Sequence, residues 1–266
     1  MLKYLCFLLS FLMSNPSFAA GSAQFDTLYS QLLSQYWRPS VSIHGIETTA
    51  FDFPAMKRDG SDLIEKIAKS LDQVNLSSIS ESNDAKAFWI NAYNFSALRI
   101  VIKAYPVKSI TSFKISVIKH PWSKKNIRIG GRKYSLTEIE TGVLLKQFDD
   151  PRIVFAVSCS AVSCPDQTGE IFTGEKIEQQ LTGIIETYFR NPGKGFRLDT
   201  EKNTATLAWI MKKDGHLFHG DELGQLEFVK PYLPEAQRVW LASHAVTIDF
   251  FEHDWTLNDL ARANKR

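Results

Sequence analysis

The chain has 266 residues, a formal net charge of +2, and 44% hydrophobic and 12% aromatic residues. This composition excludes an intrinsically disordered chain and is sufficient for one hydrophobic core. Lys and Arg are scattered along the sequence, so no nucleic-acid partner is expected. The basic pairs Lys124-Lys125 and Arg132-Lys133 flank a predicted hairpin and are interpreted as a solvated edge.

Residues 1–19 are typical of a secretory signal peptide. Lys3 is their only charge, residues 5–13 are apolar, and Pro16 precedes the tripeptide S-F-A. The apolar run is shorter than the about 20 residues that a membrane-spanning helix needs. We therefore expect cleavage before Ala20 and a periplasmic or secreted protein without an integral membrane segment. An uncleaved anchor is the alternative.

Apolar periodicity and turn signals predict the remaining elements in chain order. Helices are predicted at 25–36, 63–71, 85–104, 135–146 and from 177 to before Pro192, with further helical segments to about Leu241. Strands are predicted at Ile127–Ile129, Arg132–Tyr134, 152–157, Phe196–Asp199, Thr204–Leu207 and 246–250. The helices predominate and the strands form hairpins, so the predicted class is α+β: a single, mostly helical domain over 20–266 with a small, largely antiparallel sheet.

The helix at 85–104 places two carboxamides, Asn91 and Asn94, on the face opposite the side predicted to lie nearest water. That wetter side carries Lys86, Ser96, Arg99 and Lys103. A buried amide without a partner costs about 1–3 kcal/mol, so both are expected to be hydrogen-bonded. Either they tie the helix to loop or strand-end backbone, which we favour, or they line a cleft and orient a substrate or a thiol.

Cys159 and Cys164 follow a short apolar run and are the only cysteines beyond the predicted signal peptide. In an exported protein such a pair is expected to form a disulfide, provided that 160–163 turns and brings the α-carbons within about 7 Å. The alternative is a reactive thiol, which needs a base within hydrogen-bond reach and a group that orients this base.

The histidines give weak signals for chemistry, because none has a spacing that marks it as a partner of a thiol. His120 and His253 are the tentative catalytic partners of Cys159 or Cys164. His216 and His219 lack the closed spacing of structural zinc and are interpreted as part of a surface turn. We expect no metal and no cofactor, and no G-x-S-x-G motif supports a serine hydrolase.

Several motifs together resemble the domain of unknown function 547 family across nearly all of the chain that follows the predicted signal peptide. They are F-W-I-N-A-Y-N at 88–94, Y-P-V-K-S-I at 105–110, Pro121-Trp122, Gly130-Gly131, Ser135-Leu136, Ile139-Glu140, D-P-R-I at 150–153, Phe155-Ala156, Cys159, Cys164-Pro165 and D-W-T-L-N at 254–258, with a signature core at about 84–190. The resemblance adds Glu140 and Asp254 to the binding or structural positions, beside Asn91 and Asn94. It implies no established reaction.

The chain departs from the family pattern at three positions. Relatives often have His where this chain has Thr141 and Val154, and Asn where it has Ser158. These departures favour a binding role over catalysis.

Three functions remain open. The favoured one is an exported binding or structural module for an unknown protein or small-molecule ligand. The alternatives are a thiol-dependent hydrolase or acyl transferase that uses Cys159 or Cys164, and a dithiol redox role of the same pair. A papain-like or transglutaminase-like arrangement is a further alternative that no motif selects.

Overall fold

The computed structural model describes residues 16–79, 82–112 and 121–263, so residues 1–15 of the predicted signal peptide lie outside it. More than half of these described residues are helical. The α-helices are α1 (Pro16–Tyr36), α2 (Phe53–Asp59), α3 (Ser61–Asp72), α4 (Asn83–Ala104), α5 (Leu145–Phe148), α6 (Ile177–Phe189), α7 (Trp209–Lys213), α8 (Glu222–Val229) and α9 (Glu235–Ser243). Among the described residues, no helix combines the length and apolarity that crossing a membrane requires.

The strands form small separate sheets rather than one. They are β1 (Trp37–Ile43), β2 (Ile46–Phe51), β3 (Ile127–Ile129), β4 (Arg132–Tyr134), β5 (Phe196–Asp199), β6 (Thr204–Leu207) and β7 (Thr247–Phe250). The pairs β1–β2, β3–β4 and β5–β6 are antiparallel, and β7 joins β6 in parallel. The α+β class and both predicted hairpins are therefore confirmed, whereas the hairpin of β1 and β2 was not predicted.

Helix α4 lies in the centre of the larger core and is buried on almost every side. Its Phe88 and Trp89 belong to this core. The prediction that Lys86 and Ser96 lie near water is wrong, because these residues are only 8% and 3% exposed. Lys86 is buried because its Nζ lies 3.1 Å from Asp150 Oδ2, and this ion pair replaces the water that the ammonium gives up.

The predicted strand at 152–157 is wrong: the segment Pro151–Phe155 forms a 3₁₀-helix. Pro151 suits the first helical turn, and the Asp150 side chain accepts a hydrogen bond of 3.1 Å from Arg152 N. A short buried apolar run gives the same signal in a strand and in a buried helical segment.

The predicted helix at 135–146 begins at its capping box. Glu138 N donates to Ser135 Oγ at 3.1 Å, and Ser135 N donates to Glu138 Oε2 at 2.9 Å. The segment Glu138–Leu144 is π-helical and continues into α5. Single-turn π-bulges are frequent at functional sites, and Glu140 lies in this one.

A second hydrophobic cluster fills the C-terminal part of the chain around Phe155, Phe189 and Phe218. Leu145 and Ile184 pack against both clusters. The helical turn Pro151–Phe155 contributes to both as well, because Ile153 belongs to the larger cluster and Phe155 to the second. The backbone that leads to Cys159 therefore starts between two packed cores.

Candidate functional site

Cys159 and Cys164 form a disulfide with a Cα–Cα distance of 6.0 Å. The intervening loop turns as this bond requires, and Ser160 has left-handed backbone geometry with φ of 65°. Cys159 is half-buried, whereas Cys164 is only 6% exposed. Cys159 is therefore the more exposed residue of the pair.

The closing D-W-T-L-N motif holds this loop like a short antiparallel strand. Ala161 pairs with Leu257 in an antiparallel bridge. Val162 N donates to the Thr256 carbonyl at 2.9 Å, and the Ser160 carbonyl accepts from Asn258 N at 3.0 Å. The backbone conformation of the loop is thus fixed by contacts other than the disulfide.

Lys194 was missed by the sequence analysis, which assigned no role to the residues between Pro192 and Phe196. Its side chain is fully buried, and its ammonium donates to the carbonyls of Val162 at 3.1 Å and Cys164 at 3.2 Å. It also lies 2.8 Å from Asp166 Oδ1. Burial lowers the pKa of Lys194, and the Asp166 carboxylate opposes this shift. A lysine between two glycines gives no sequence signal for burial, because its acceptors come from distant segments.

His253 lies beside the disulfide, with its Nε2 3.7 Å from Cys164 Sγ. Its ring contacts Trp209 and Trp255, with centroid distances of 4.5 and 4.0 Å. Burial lowers the pKa of His253 to about 4, so the imidazole is neutral at neutral pH. Its Nδ1 is buried and has no hydrogen-bond partner within the described part of the chain.

Asp254 follows His253 in sequence but does not orient its ring. The Asp254 carboxylate contacts His44 Nδ1 at 2.8 Å and accepts from Thr256 N at 2.9 Å. The base of a thiol hydrolase needs a group that holds its ring in position. Since His253 Nδ1 has no such partner in the described part of the chain, the described residues form a Cys–His pair rather than a catalytic triad.

Asn91 and Asn94 each form two hydrogen bonds to the backbone, one donated by the side-chain Nδ2 and one accepted by the side-chain Oδ1. Asn91 Nδ2 donates to the Phe172 carbonyl and Asn91 Oδ1 accepts from Phe172 N, both at 2.9 Å. Asn94 Nδ2 donates to the Ala156 carbonyl at 2.8 Å, and its Oδ1 accepts from Ser158 N at 2.9 Å. These bonds tie α4 to the segments on either side of the cysteine loop, in agreement with the structural interpretation of the pair.

Glu140 is part of a separate polar group. Its Oε2 accepts from Tyr93 OH at 3.2 Å, and its Oε1 lies 4.0 Å from Lys213 Nζ. Burial raises the pKa of this carboxyl. The hydrogen bonds and ion pairs of the described residues connect Glu140 to α7 and not to the disulfide.

His120 lies outside the described residues. The three positions where the family pattern differs have ordinary structural roles: Thr141 Oγ1 donates to the Thr137 carbonyl at 2.7 Å, Val154 is buried, and Ser158 N binds Asn94.

Among the described residues, the one compact group of potential metal ligands with His or Cys is Cys159, Cys164 and His253, whose ligand atoms lie within 4.8 Å of one another.

The segment that follows Cys164 lines a cavity of about 600 Å³. Trp37, Ile184 and Tyr188 contribute its apolar wall, and Asp166 and Gln167 contribute polar groups. Trp37 Nε1 donates to the Gln167 carbonyl at 2.8 Å, which fixes the indole at the edge of the cavity.

Comparison with known proteins supports the resemblance over the centre of the chain. Residues 76–189 match the model of the family described as "Protein of unknown function, DUF547". No curated protein and no solved structure has significant similarity to this chain. The matched segment includes α4 and both cysteines, whereas Lys194 and His253 lie beyond its end. The family prediction is confirmed over this segment, which is similar to the DUF547 family.

Proposed function

We propose that the chain is an exported redox protein whose Cys159–Cys164 disulfide is reversibly reduced by an external dithiol. The observation that supports this role is the 3.7 Å contact between Cys164 Sγ and His253 Nε2. A purely structural disulfide has no need of an adjacent imidazole, whereas a leaving thiolate is stabilised by one.

The exposure of the two cysteine residues suggests which sulfur is attacked. A thiolate of the reductant attacks Sγ of the more accessible Cys159, the S–S bond breaks, and Cys164 leaves as a thiolate. His253, as the neutral tautomer with hydrogen on Nε2, donates a hydrogen bond to this sulfur. The second thiol of the reductant then displaces Cys159 from the mixed disulfide, so two electrons pass from the dithiol to the protein.

The loop contacts support a reversible reaction. Lys194 and the closing motif hold the backbone of the loop through bonds that do not involve sulfur. The two sulfurs therefore stay close after reduction, and reoxidation needs no search through many conformations.

Reduction of the folded protein tests this proposal. A small dithiol is expected to reduce the disulfide without denaturant, with the far-ultraviolet circular dichroism unchanged. The variant His253→Phe should be reduced at least about tenfold more slowly, equivalent to about 1.4 kcal/mol of lost stabilisation. The exposed His216 provides the matched control His216→Gln, which should behave as wild type. A disulfide that is reduced only in denaturant would contradict the proposal.

The accessible sulfur can be identified separately. With glutathione disulfide, the variant Cys164→Ser, which keeps Cys159, should form a mixed disulfide at least about tenfold faster than Cys159→Ser. The reverse order would assign the attack to Cys164 and exchange the roles of the two sulfurs.

The cavity supports ligand binding as a second candidate function. Its apolar wall and few polar groups are typical of small-molecule sites. Binding of a fluorescent apolar dye to wild type, and its loss in Ile184→Asp, would support this function. Equal dye fluorescence in both proteins would contradict it.

Export is proposed from residues 1–19. The described side chains of α1 begin at Ser22, and Phe25, Tyr29 and Leu32 among them lie in the core. Cleavage before Ala20 would keep these core residues in the protein. Mass spectrometry of periplasmic material should give Ala20 as the first residue, and a chain that retains residues 1–19 would contradict export.

A further inference from the structure

The ligand atoms of Cys159, Cys164 and His253 converge on one point at the edge of the larger core. These two sulfurs and the imidazole nitrogen lie within 4.8 Å of one another. Thiolate and imidazole are the ligands that zinc prefers in proteins. The disulfide occupies both sulfurs, so the group has donors for a metal only when the pair is reduced.

The distance between Cys164 and His253 already suits a shared metal ion. Zinc binds thiolate sulfur at about 2.3 Å and imidazole nitrogen at about 2.0–2.1 Å, so tetrahedral geometry places the two ligand atoms about 3.6 Å apart. The observed Sγ–Nε2 distance is 3.7 Å. On reduction, only the Cys159 sulfur has to move, to about 3.8 Å from that of Cys164.

The loop that carries the ligands is held independently of the disulfide. The Lys194 ammonium binds the Val162 and Cys164 carbonyls, and Asn258 N binds the Ser160 carbonyl. The His253 ring packs against Trp209 and Trp255, which also contact each other. A reduced site therefore keeps its ligands close together, which lowers the entropy cost of binding.

We propose that the reduced protein binds one zinc ion through Cys159 Sγ, Cys164 Sγ and His253 Nε2. The fourth tetrahedral position is open to water or to a ligand of a partner, as in catalytic rather than structural zinc sites. Two thiolates balance the charge of the ion in this half-buried place. The inference rests on the proposed function in one respect, because it requires a disulfide that can be reduced in the folded protein.

Reduction and binding can be written as two balanced steps. A trialkylphosphine and water convert the disulfide into two thiols, and the phosphine becomes its oxide. Zinc then displaces one proton from each thiol, so binding releases two protons at a pH where both thiols are protonated. The affinity should fall steeply as the pH is lowered.

The experiment uses the full folded protein, reduced with a trialkylphosphine, freed of reductant without oxygen, and assayed for thiols before any metal is added. Titration with Co²⁺ should give a thiolate-to-metal charge-transfer band that saturates at one equivalent, and Zn²⁺ should abolish it. The oxidised protein should give no such band. Cys159→Ser and His253→Gln should each bind zinc at least about tenfold more weakly, because loss of even a hydrogen-bond partner of a metal ligand typically costs about 10–100-fold, whereas His216→Gln should bind as wild type.

The outcomes separate the two proposals. Two accessible thiols with no charge-transfer band, or with an equal band in Cys159→Ser, would overturn the zinc site and leave the redox function standing. A disulfide that resists reduction in the folded protein would overturn both. If His253→Gln fails to fold, Cys159→Ser decides between the outcomes. This variant is expected to fold, because the hydrogen bonds that hold the loop backbone do not involve sulfur.

Discussion

Two groups of polar side chains lie beside the cysteine loop: the amides of α4, and the thiol site, which consists of Cys159, Cys164 and His253. They differ in how completely their polar atoms are hydrogen-bonded. Asn91 and Asn94 each donate to one backbone carbonyl and accept from one backbone N–H. At the thiol site, His253 Nδ1 is buried and has no partner among the described residues, and its Nε2 faces sulfur. Complete bonding indicates a structural role, whereas an unsatisfied, half-buried group beside a disulfide is available for chemistry.

The difference predicts opposite responses to substitution. Changes at the groups that hold the loop should cost stability, because each leaves buried partners without hydrogen bonds. Changes at His253 should leave stability nearly unchanged and alter reactivity instead.

The largest effect is expected for Lys194→Met, which removes the ammonium that binds the Val162 and Cys164 carbonyls and Asp166. Breaking a buried ion pair by removing one partner typically costs about 3–5 kcal/mol. The free energy of unfolding in urea measures this loss, and Lys202→Met on an exposed turn is the matched control. A loss below about 1 kcal/mol would show that the loop does not depend on this lysine.

Asn94→Asp should destabilise the fold by about 2–4 kcal/mol, because the carboxylate can no longer donate to the Ala156 carbonyl. Asn91→Asp should act similarly through Phe172. Lys103→Ala, on the exposed side of α4, is the control. Urea melts that coincide for both Asp variants and wild type would show that this face of α4 is solvated and would favour a cleft.

Measuring the free energy of unfolding over a pH series sharpens the comparison. The amides of α4 do not ionise, whereas the carboxyl of Asp26, near Asp84 in the first turn of α4, does. Burial and the nearby Asp84 raise the pKa of Asp26 from 3.8 to about 6. Between these values the folded state holds a proton that the unfolded state has lost, so this group's contribution to stability falls as the pH rises from about 4 to 6. Asp26→Asn should match wild type near pH 4 and exceed it at pH 7 by about 1–2 kcal/mol, a figure reduced for its partial exposure. Parallel stability curves for the two proteins would contradict the raised pKa.

The smallest effect on stability is expected for His253→Phe. The substitution removes a buried nitrogen that has no partner among the described residues, and it keeps an aromatic ring packed against Trp209 and Trp255. The free energy of unfolding should stay within about 1 kcal/mol of wild type. A loss of more than about 2 kcal/mol would place His253 with the structural amides rather than with the reactive group.

Local patterns predicted much of the framework. The capping box at Ser135, the Gly130-Gly131 hairpin and the apolar faces of α3 and α6 depend on neighbours within a few residues, so their signals are visible in the sequence. The segment Pro151–Phe155 was predicted wrongly, because burial on all sides removes the periodicity that separates a strand from a helical turn. The prediction that Lys86 is exposed was wrong because its partner Asp150 lies 64 residues away, so no local pattern indicates the ion pair.

The sequence by itself determined the α+β class, the resemblance to the family, the two amides of α4 and the cysteine pair, because each is encoded by short spacings or by the residues themselves. Only the tertiary structure decided which groups meet at the pair. His253 reaches Cys164 across 89 positions and Lys194 reaches its carbonyl across 30. Such contacts depend on how distant segments pack, and no local propensity specifies them.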